Sequence, residues 1–136
     1  MRMKTKIVLD TNVFLYALDD QNIYHSKSKA ILYDLEYLKY TITKNISEYF
    51  AVASKLNIEF DKAFAFYEQF CNNTIILFPT HKSLSVFETL MQKYQPRGNK
   101  IYDLEIVSIA LSNQVKHIST FNTKDFITFS EITILP

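Results

Sequence analysis

The stretch Lys6-Ile7-Val8-Leu9-Asp10-Thr11-Asn12 sets the tightest constraint on how this chain folds. A short apolar run ends in a carboxylate, followed by two small polar residues that favour helix starts. Such a run is the pattern of a parallel strand buried on both faces. It delivers Asp10 at the carboxyl edge of a sheet. In open α/β sheets, ligands bind outside that edge. The remaining sequence is therefore read for further oxygen ligands that reach Asp10.

The downstream pattern alternates between strand and helix. Strand one covers residues 5 to 9, and Thr11 or Asp10 caps a helix over about 12–18, with Val13, Phe14 and Ala17 inward. A second helix is expected over about 24–39, from the spacing of Ala30, Ile31, Leu35 and Leu38. Tyr40-Thr41-Ile42-Thr43 alternates as a strand. Ser47 or Asn45 then caps a third helix, which places Glu48 in or near its first turn. A helix over about 61–72, a strand at Ile75-Ile76-Leu77-Phe78 and a helix opened by Thr80 follow. After the loop Pro96-Arg97-Gly98-Asn99 comes a helix over 101–111, apolar nearly all round and therefore buried. His117-Ile118-Ser119-Thr120 and Ile132-Thr133-Ile134-Leu135 supply the last strands. Strands alternating with helices predict a three-layer α/β/α sandwich around a short parallel sheet of about five strands, with six or seven helices.

Composition removes several classes. One Gly and three Pro among 136 residues suit helices joined by short loops better than hairpins. The length fits one domain spanning 1–136. A formal charge of +1 is low for a protein that tracks long stretches of nucleic-acid backbone. Cys71, the lone cysteine, excludes an internal disulfide and fits a reducing cytoplasm. It sits among helical aromatics and reads as a small core residue. No signal peptide is recognisable, and no apolar run reaches the roughly 18 residues of a membrane span. A soluble, cytoplasmic protein is expected.

Acidic and amide residues at strand ends and helix starts carry the chemistry: Asp10, Glu48, Asp103 and the pair Asn122/Asp125. Singly, each is accounted for by helix capping or the helix dipole. Converging at one sheet edge, they repel, and a divalent cation relieves that conflict. All-oxygen ligands suit Mg²⁺ or Mn²⁺. Asp103 opens the most buried helix, on the face shared by Val107 and Ala110. Glu105 lies about 200° round from it, so it is assigned to the rim. In Thr120-Phe121-Asn122-Thr123-Lys124-Asp125-Phe126, a hydroxyl can orient a carboxylate, or Asp125 can simply cap a short final helix.

Four segments together resemble the PIN-domain family, in particular the small toxin ribonucleases of VapBC toxin–antitoxin modules. They are Val8 through Val13, Ile46-Ser47-Glu48-Tyr49, Gly98 through Asp103 with Ile109-Ala110, and Thr120 through Phe126. They occur in the family's order and span nearly the whole chain. The resemblance implies a divalent-metal-dependent endoribonuclease using Mg²⁺ or Mn²⁺. It makes Asp10 and Asp103 the principal metal-binding acids and Glu48 the second acid. The family's last acid falls at Asn122, a departure that weakens a second metal site, with Asp125 three residues on as a partial substitute. The resemblance further implies an RNA substrate, a cognate antitoxin and a homodimer; the hydropathy reading adds no membrane partner.

Lys44, Arg97, Lys100 and Lys124 stand beside the proposed acids and are the candidate RNA-phosphate contacts. His25, His81 and His117 lack metal-ligand spacing and read as structural or surface. Tyr33, Tyr37, Phe64 and Tyr67 read either as partner surface or as core. Two rivals follow. One is a catalytically impaired PIN-like module that only binds RNA or protein, which Asn122 favours. The other is a phosphoacceptor receiver domain, disfavoured because strand three ends in Phe78-Pro79 without an acceptor acid.

Overall fold

A computed structural model describes residues 3–135. Its sheet is built on β1 (Thr5–Leu9), whose Ile7, Val8 and Leu9 are all buried. Alternation along this strand sends Val8 to one core and Ile7 and Leu9 to the other. Central placement follows: β1 pairs in parallel with β2 (Tyr37–Ile42) on one side and β4 (His117–Ser119) on the other. The full order is β3-β2-β1-β4-β5, all parallel, with β3 (Ile75–Leu77) and β5 (Thr133–Leu135) at the edges. This order differs from the 2-1-3-4-5 sheet of receiver domains.

The chain moves outward from β1 to β3, then crosses back to β4 on the far side of β1. Crossovers of constant hand therefore put the helices on opposite faces before and after that return. On one face lie α1 (Thr11–Leu18), α2 (His25–Leu32), α3 (Thr43–Lys55) and α4 (Phe60–Cys71). Their core centres on Phe14, Tyr49 and Phe70, with Phe14 and Phe70 stacked at 4.0 Å between ring centroids. Each such ring contributes about 1.5–3 kcal/mol by leaving water. On the other face lie α5 (His81–Tyr94) and α6 (Lys100–Ser112). Six of the buried residues of α6 run consecutively or nearly so (Leu104, Ile106, Val107, Ser108, Ile109, Ala110), so the expected all-round burial holds. Phe126, Phe129 and Ile132, from the segment between β4 and β5, close this core.

Two expected boundaries move. The second helix stops at Leu32 instead of running to 39, because residues 37–40 pair with 5–8 of β1. Leu35, which fitted the helical spacing, lies in the intervening turn and is 76% exposed. Sheet pairing overrides the local periodicity here. Helix α3 begins at Thr43, directly after β2, without a side-chain cap, so neither Ser47 nor Asn45 caps it. Glu48 consequently sits in the second turn. Thr80 caps α5 as expected, in a reciprocal capping box with Ser83. Tyr33, Tyr37 and Tyr67 are half-buried against the Phe14 core, and Phe64 is exposed. Cys71 packs against the same core. Among the described residues, no helix is long and apolar enough to cross a membrane.

Candidate active site

Asp10 and Thr120 immediately follow β1 and β4, the two neighbouring strands between which the chain order reverses. The crevice outside such a reversal is where parallel sheets bind ligands. The Asp10 N–H donates to the Ser119 carbonyl at 3.0 Å, which extends the β1–β4 ladder up to the acid. The side chain of Asp10 also caps α1, its Oδ1 accepting the Thr11 N–H at 2.8 Å. Its Oδ2 accepts the Thr120 hydroxyl at 2.8 Å. Asn45 Nδ2 donates to Thr11 Oγ1 at 2.9 Å and approaches Asp10 Oδ1 at 3.4 Å. Asn12 Nδ2 lies 3.3 Å from Thr120 Oγ1 and 3.5 Å from Asp10 Oδ2. Asp10 is thus 8% exposed and oriented from four directions. Burial pushes its pKa up, the Thr120 and Thr11 hydrogen bonds pull it back, and the charges of Glu48 and Asp125 raise it further.

Asp103 lies in the first turn of α6, half-buried. Burial pushes it up to about 6, helped by the charges of Asp125, Asp10 and Glu48 and opposed by Lys44. The four carboxylates therefore share one electrostatic neighbourhood, although they come from four different segments. Glu48 is exposed and, with Asp10, Asn12, Tyr16 and Asn122, lines a cleft of about 360 Å³. Asn122 is exposed at the cleft margin, and its N–H donates to Thr120 Oγ1 at 3.0 Å. Asp125 closes a short 3-10 turn, Thr123–Asp125, and its charge acts on both Asp10 and Asp103. Of the two residues left open at this corner, Asn122 borders the cleft and Asp125 supplies the charge.

The PIN domain family matches residues 7–132, almost the whole described chain. The chain belongs to that family. Its fold is also that of solved VapC-containing structures. A VapBC complex from Rickettsia felis, bound to a promoter DNA fragment, superposes with a TM-score of 0.73 at 18% identity, covering 96% of this chain and 98% of that one. A DNA-bound VapBC from Salmonella typhimurium gives 0.71 at 21% identity, covering 96% and 97%. A Mycobacterium tuberculosis VapC described as a toxin that cleaves the sarcin–ricin loop gives 0.71 at 12% identity, covering 93% and 98%. No curated protein matches the sequence.

The basic residues of this PIN domain fall in unlike surroundings. Arg97 and Lys124 are exposed. Lys100 is half-buried, its ammonium 5.8 Å from the centre of the Phe129 ring. Lys44 does not face open solvent as a phosphate contact would. Its Nζ is buried without a hydrogen-bond partner among the described residues, 3.6 Å from the centre of the Tyr102 ring. Burial pulls the Lys44 pKa down, whereas Glu105, Glu48 and Asp103 push it back up. Glu105, assigned to the rim, is half-buried and acts on the cluster through Lys44.

Asn45 was legible only as a helix cap, yet it is fully buried and joins the start of α3 to that of α1. The signal for its role is a polar residue just past an apolar strand whose partner strand ends in an acid. The orienting hydroxyl expected in the Thr120–Phe126 segment is that of Thr120.

Among the described residues, no three His, Cys, Asp or Glu side chains already form a metal-binding group. The donor set nevertheless fits a hard divalent ion. Mg²⁺ keeps several waters and needs only one or two protein carboxylates beside substrate phosphate. Burial is the main cause that raises both Asp10 and Asp103, and neighbouring acids add to it, the charge of Asp10 included in the case of Asp103. A divalent ion between them would relieve that repulsion.

Proposed function

We propose that this PIN-domain protein is a divalent-metal-dependent endoribonuclease, the toxin of a type II toxin–antitoxin module. The observation that carries the reading is Asp10: a carboxylate buried at the strand-reversal point, oriented by Thr11 and Thr120, and surrounded by Glu48, Asp103 and Asp125. An isolated helix cap has no need of three further acids. Family membership and the fold shared with VapC structures support the same reading.

Asp10 and Asp103 would hold Mg²⁺ or Mn²⁺, with Glu48 completing the ligand set. When bound, the ion supplies charge neutralisation on the phosphate and activation of water. Thr120 and Thr11 fix the Asp10 carboxylate, so little reorganisation is required when substrate arrives. Glu48, exposed in the cleft, orients the attacking water or takes its proton. Asp125 adds negative charge beside Asp103, and Asn122 offers an amide at the cleft margin. Arg97, Lys100 and Lys124 are the candidates for holding flanking phosphates.

An antitoxin partner is proposed because relatives of this fold are found in toxin–antitoxin complexes. The apolar groove between α3 and α4, lined by Phe50, Ile58, Phe60 and Phe64, is the surface we assign to it. Homodimerisation is proposed on the same family basis. One rival reading remains, a binding module without catalysis. It is favoured by Asn122, which stands where the family's pattern carries an acid.

The deciding experiment compares wild type with Asp10→Asn on structured and single-stranded RNA, with Mg²⁺, Mn²⁺ or chelator. Metal-dependent cuts by wild type alone are expected. Equal cleavage by a folded Asp10→Asn protein would rule out the assignment, and RNA binding without cleavage by wild type would establish the binding module.

A further inference from the structure

Three aromatic rings cluster beside the Asp10 cleft, and one of them, Tyr16, lines it. Phe121 directly follows Thr120 and stacks on Tyr24, with centroids 4.6 Å apart and ring planes 24° from parallel. Tyr16 meets both, 5.3 Å from Phe121 and 5.7 Å from Tyr24. Tyr16 lines the cleft that holds Asp10, Glu48 and Asn122. Tyr24 and Phe121, with Thr120, Thr123 and Lys27, line a second cavity of about 370 Å³. Thr120 joins the two: its hydroxyl holds Asp10, and its other side borders the second cavity.

We propose that Tyr24 and Phe121 form a stacking platform for a base of single-stranded RNA beside the cleft, with Lys27 taking the adjoining phosphate. This rests on the ribonuclease reading above and names the form of substrate that the site takes. Among the described residues, Phe121 is half-buried with one side against the Phe14 core, whereas Tyr24 belongs to neither core and remains 41% exposed. A ring serving only to fill the interior would be covered. The platform is also held in place before any ligand arrives. The Tyr24 N–H donates to Asn22 Oδ1 at 2.8 Å, and His25 Nδ1 lies 2.9 Å from the Tyr16 carbonyl.

Charge points to the same occupant. With a net charge of +1, the chain has little of the backbone attraction that basic nucleic-acid binders use. Stacking supplies affinity that does not depend on net charge and accepts any base, since every base has a π-face. It also discriminates against duplex RNA, whose base faces are already stacked. The exposed Lys27 provides one cation at the platform's edge, where a phosphate neighbouring the stacked base would lie.

The test measures binding of a fluorescein-labelled single-stranded RNA of mixed sequence to Asp10→Asn protein, which leaves the probe intact. Tyr24→Ala added to that background is expected to weaken binding roughly 5- to 150-fold, the range for losing one base–aromatic stack. Tyr24→Leu, which keeps apolar bulk for folding, is expected to show the same loss, and Tyr24→Phe to bind like the parent. Lys27→Ala is expected to weaken binding and to reduce the salt slope by about one. Leu35→Ala, exposed and outside the site, serves as the unaffected control. The same RNA in duplex form is expected to compete poorly.

Equal binding by the parent and by folded Tyr24→Ala and Tyr24→Leu overturns the platform, whatever wild type does to RNA. Failure of the parent to bind RNA also overturns it. Binding that requires the Tyr24 ring, in a protein whose wild type cuts no RNA with either metal, supports the platform and defeats the ribonuclease reading.

Discussion

The Thr120 hydroxyl donates a 2.8 Å hydrogen bond to Asp10 Oδ2 across 110 residues of chain, locking β4 to the acid that ends β1. This bond opposes the burial that lifts the Asp10 pKa. Thr120→Val keeps the shape and deletes the donor. Loss of a hydrogen bond to a charged group costs about 1.5–3 kcal/mol. We expect a lower melting temperature and an acid limb of the cleavage pH profile displaced to higher pH. A profile that superposes on wild type would remove Thr120 from the site.

Asp103 carries a stability cost that depends on pH. Its pKa is about 6 in the fold against an ordinary value of 3.8, with burial the main cause. Between those values the folded protein keeps a proton that the unfolded chain has released. Stability contributed by this group is therefore present at low pH and lost as pH rises towards 6 and beyond. After discounting for the group's partial exposure, the loss is on the order of 1 kcal/mol. Asp103→Asn is expected to raise the melting temperature of chelator-treated protein at pH 7 and to leave it unchanged at pH 4. Mg²⁺ should raise the wild-type value at pH 7 and leave the variant nearly unmoved. A variant less stable at pH 7 would contradict this.

The parts that depend on short-range pattern were readable from sequence, and those that depend on pairing were not. Ile7-Val8-Leu9 announced a doubly buried strand, and the strand is central with both cores against it. Thr80 announced the start of α5, which it caps. The helix expected to run to residue 39 failed because Tyr37 to Tyr40 gain β1 as a partner, which no local spacing reveals. In the site, Asp103 was singled out by its place on a buried helix, and the charge of Asp10 does act on it there. Asn45 and Lys44 were misjudged for one reason. Both lie in the first turn of α3, just past β2, and which way their side chains turn is set by α1 and α6, elements far away in sequence.

Lys44 acts as a counter-charge already present among the acids, since it lowers the Asp103 pKa, and Glu105, Glu48 and Asp103 offset part of the burial that pulls its own pKa down. A fixed cation there competes with any divalent ion. Removing a unit charge at such range changes the interaction by about 1 kcal/mol. Lys44→Met, which keeps packing on Tyr102, is therefore expected to bind Mn²⁺ about fivefold more tightly by calorimetry. It should also move the acid limb of cleavage to higher pH. Weaker Mn²⁺ binding would show instead that Lys44 organises the ligand set.

Asn45 links the two helix starts that carry Asp10 and Glu48. It is fully buried, and its Nδ2 bonds Thr11 Oγ1 at 2.9 Å while approaching Asp10. Glu48 lies three residues further along α3, so the position of that helix start governs how Glu48 meets the cleft. Asn45→Ala removes these bonds and leaves the Thr11 hydroxyl without its donor, at a cost of about 2 kcal/mol in urea unfolding. Cleavage is expected to fall mainly in kcat, because the acids lose their mutual placement and the surface proposed to face RNA is untouched. Asn45→Asp sharpens the test. It sets a further carboxylate beside Asp10 in a buried position, so its destabilisation should exceed that of alanine at pH 7 and shrink in acid. Were both variants to fold stably and cleave as wild type does, the α1–α3 link would be irrelevant to the site.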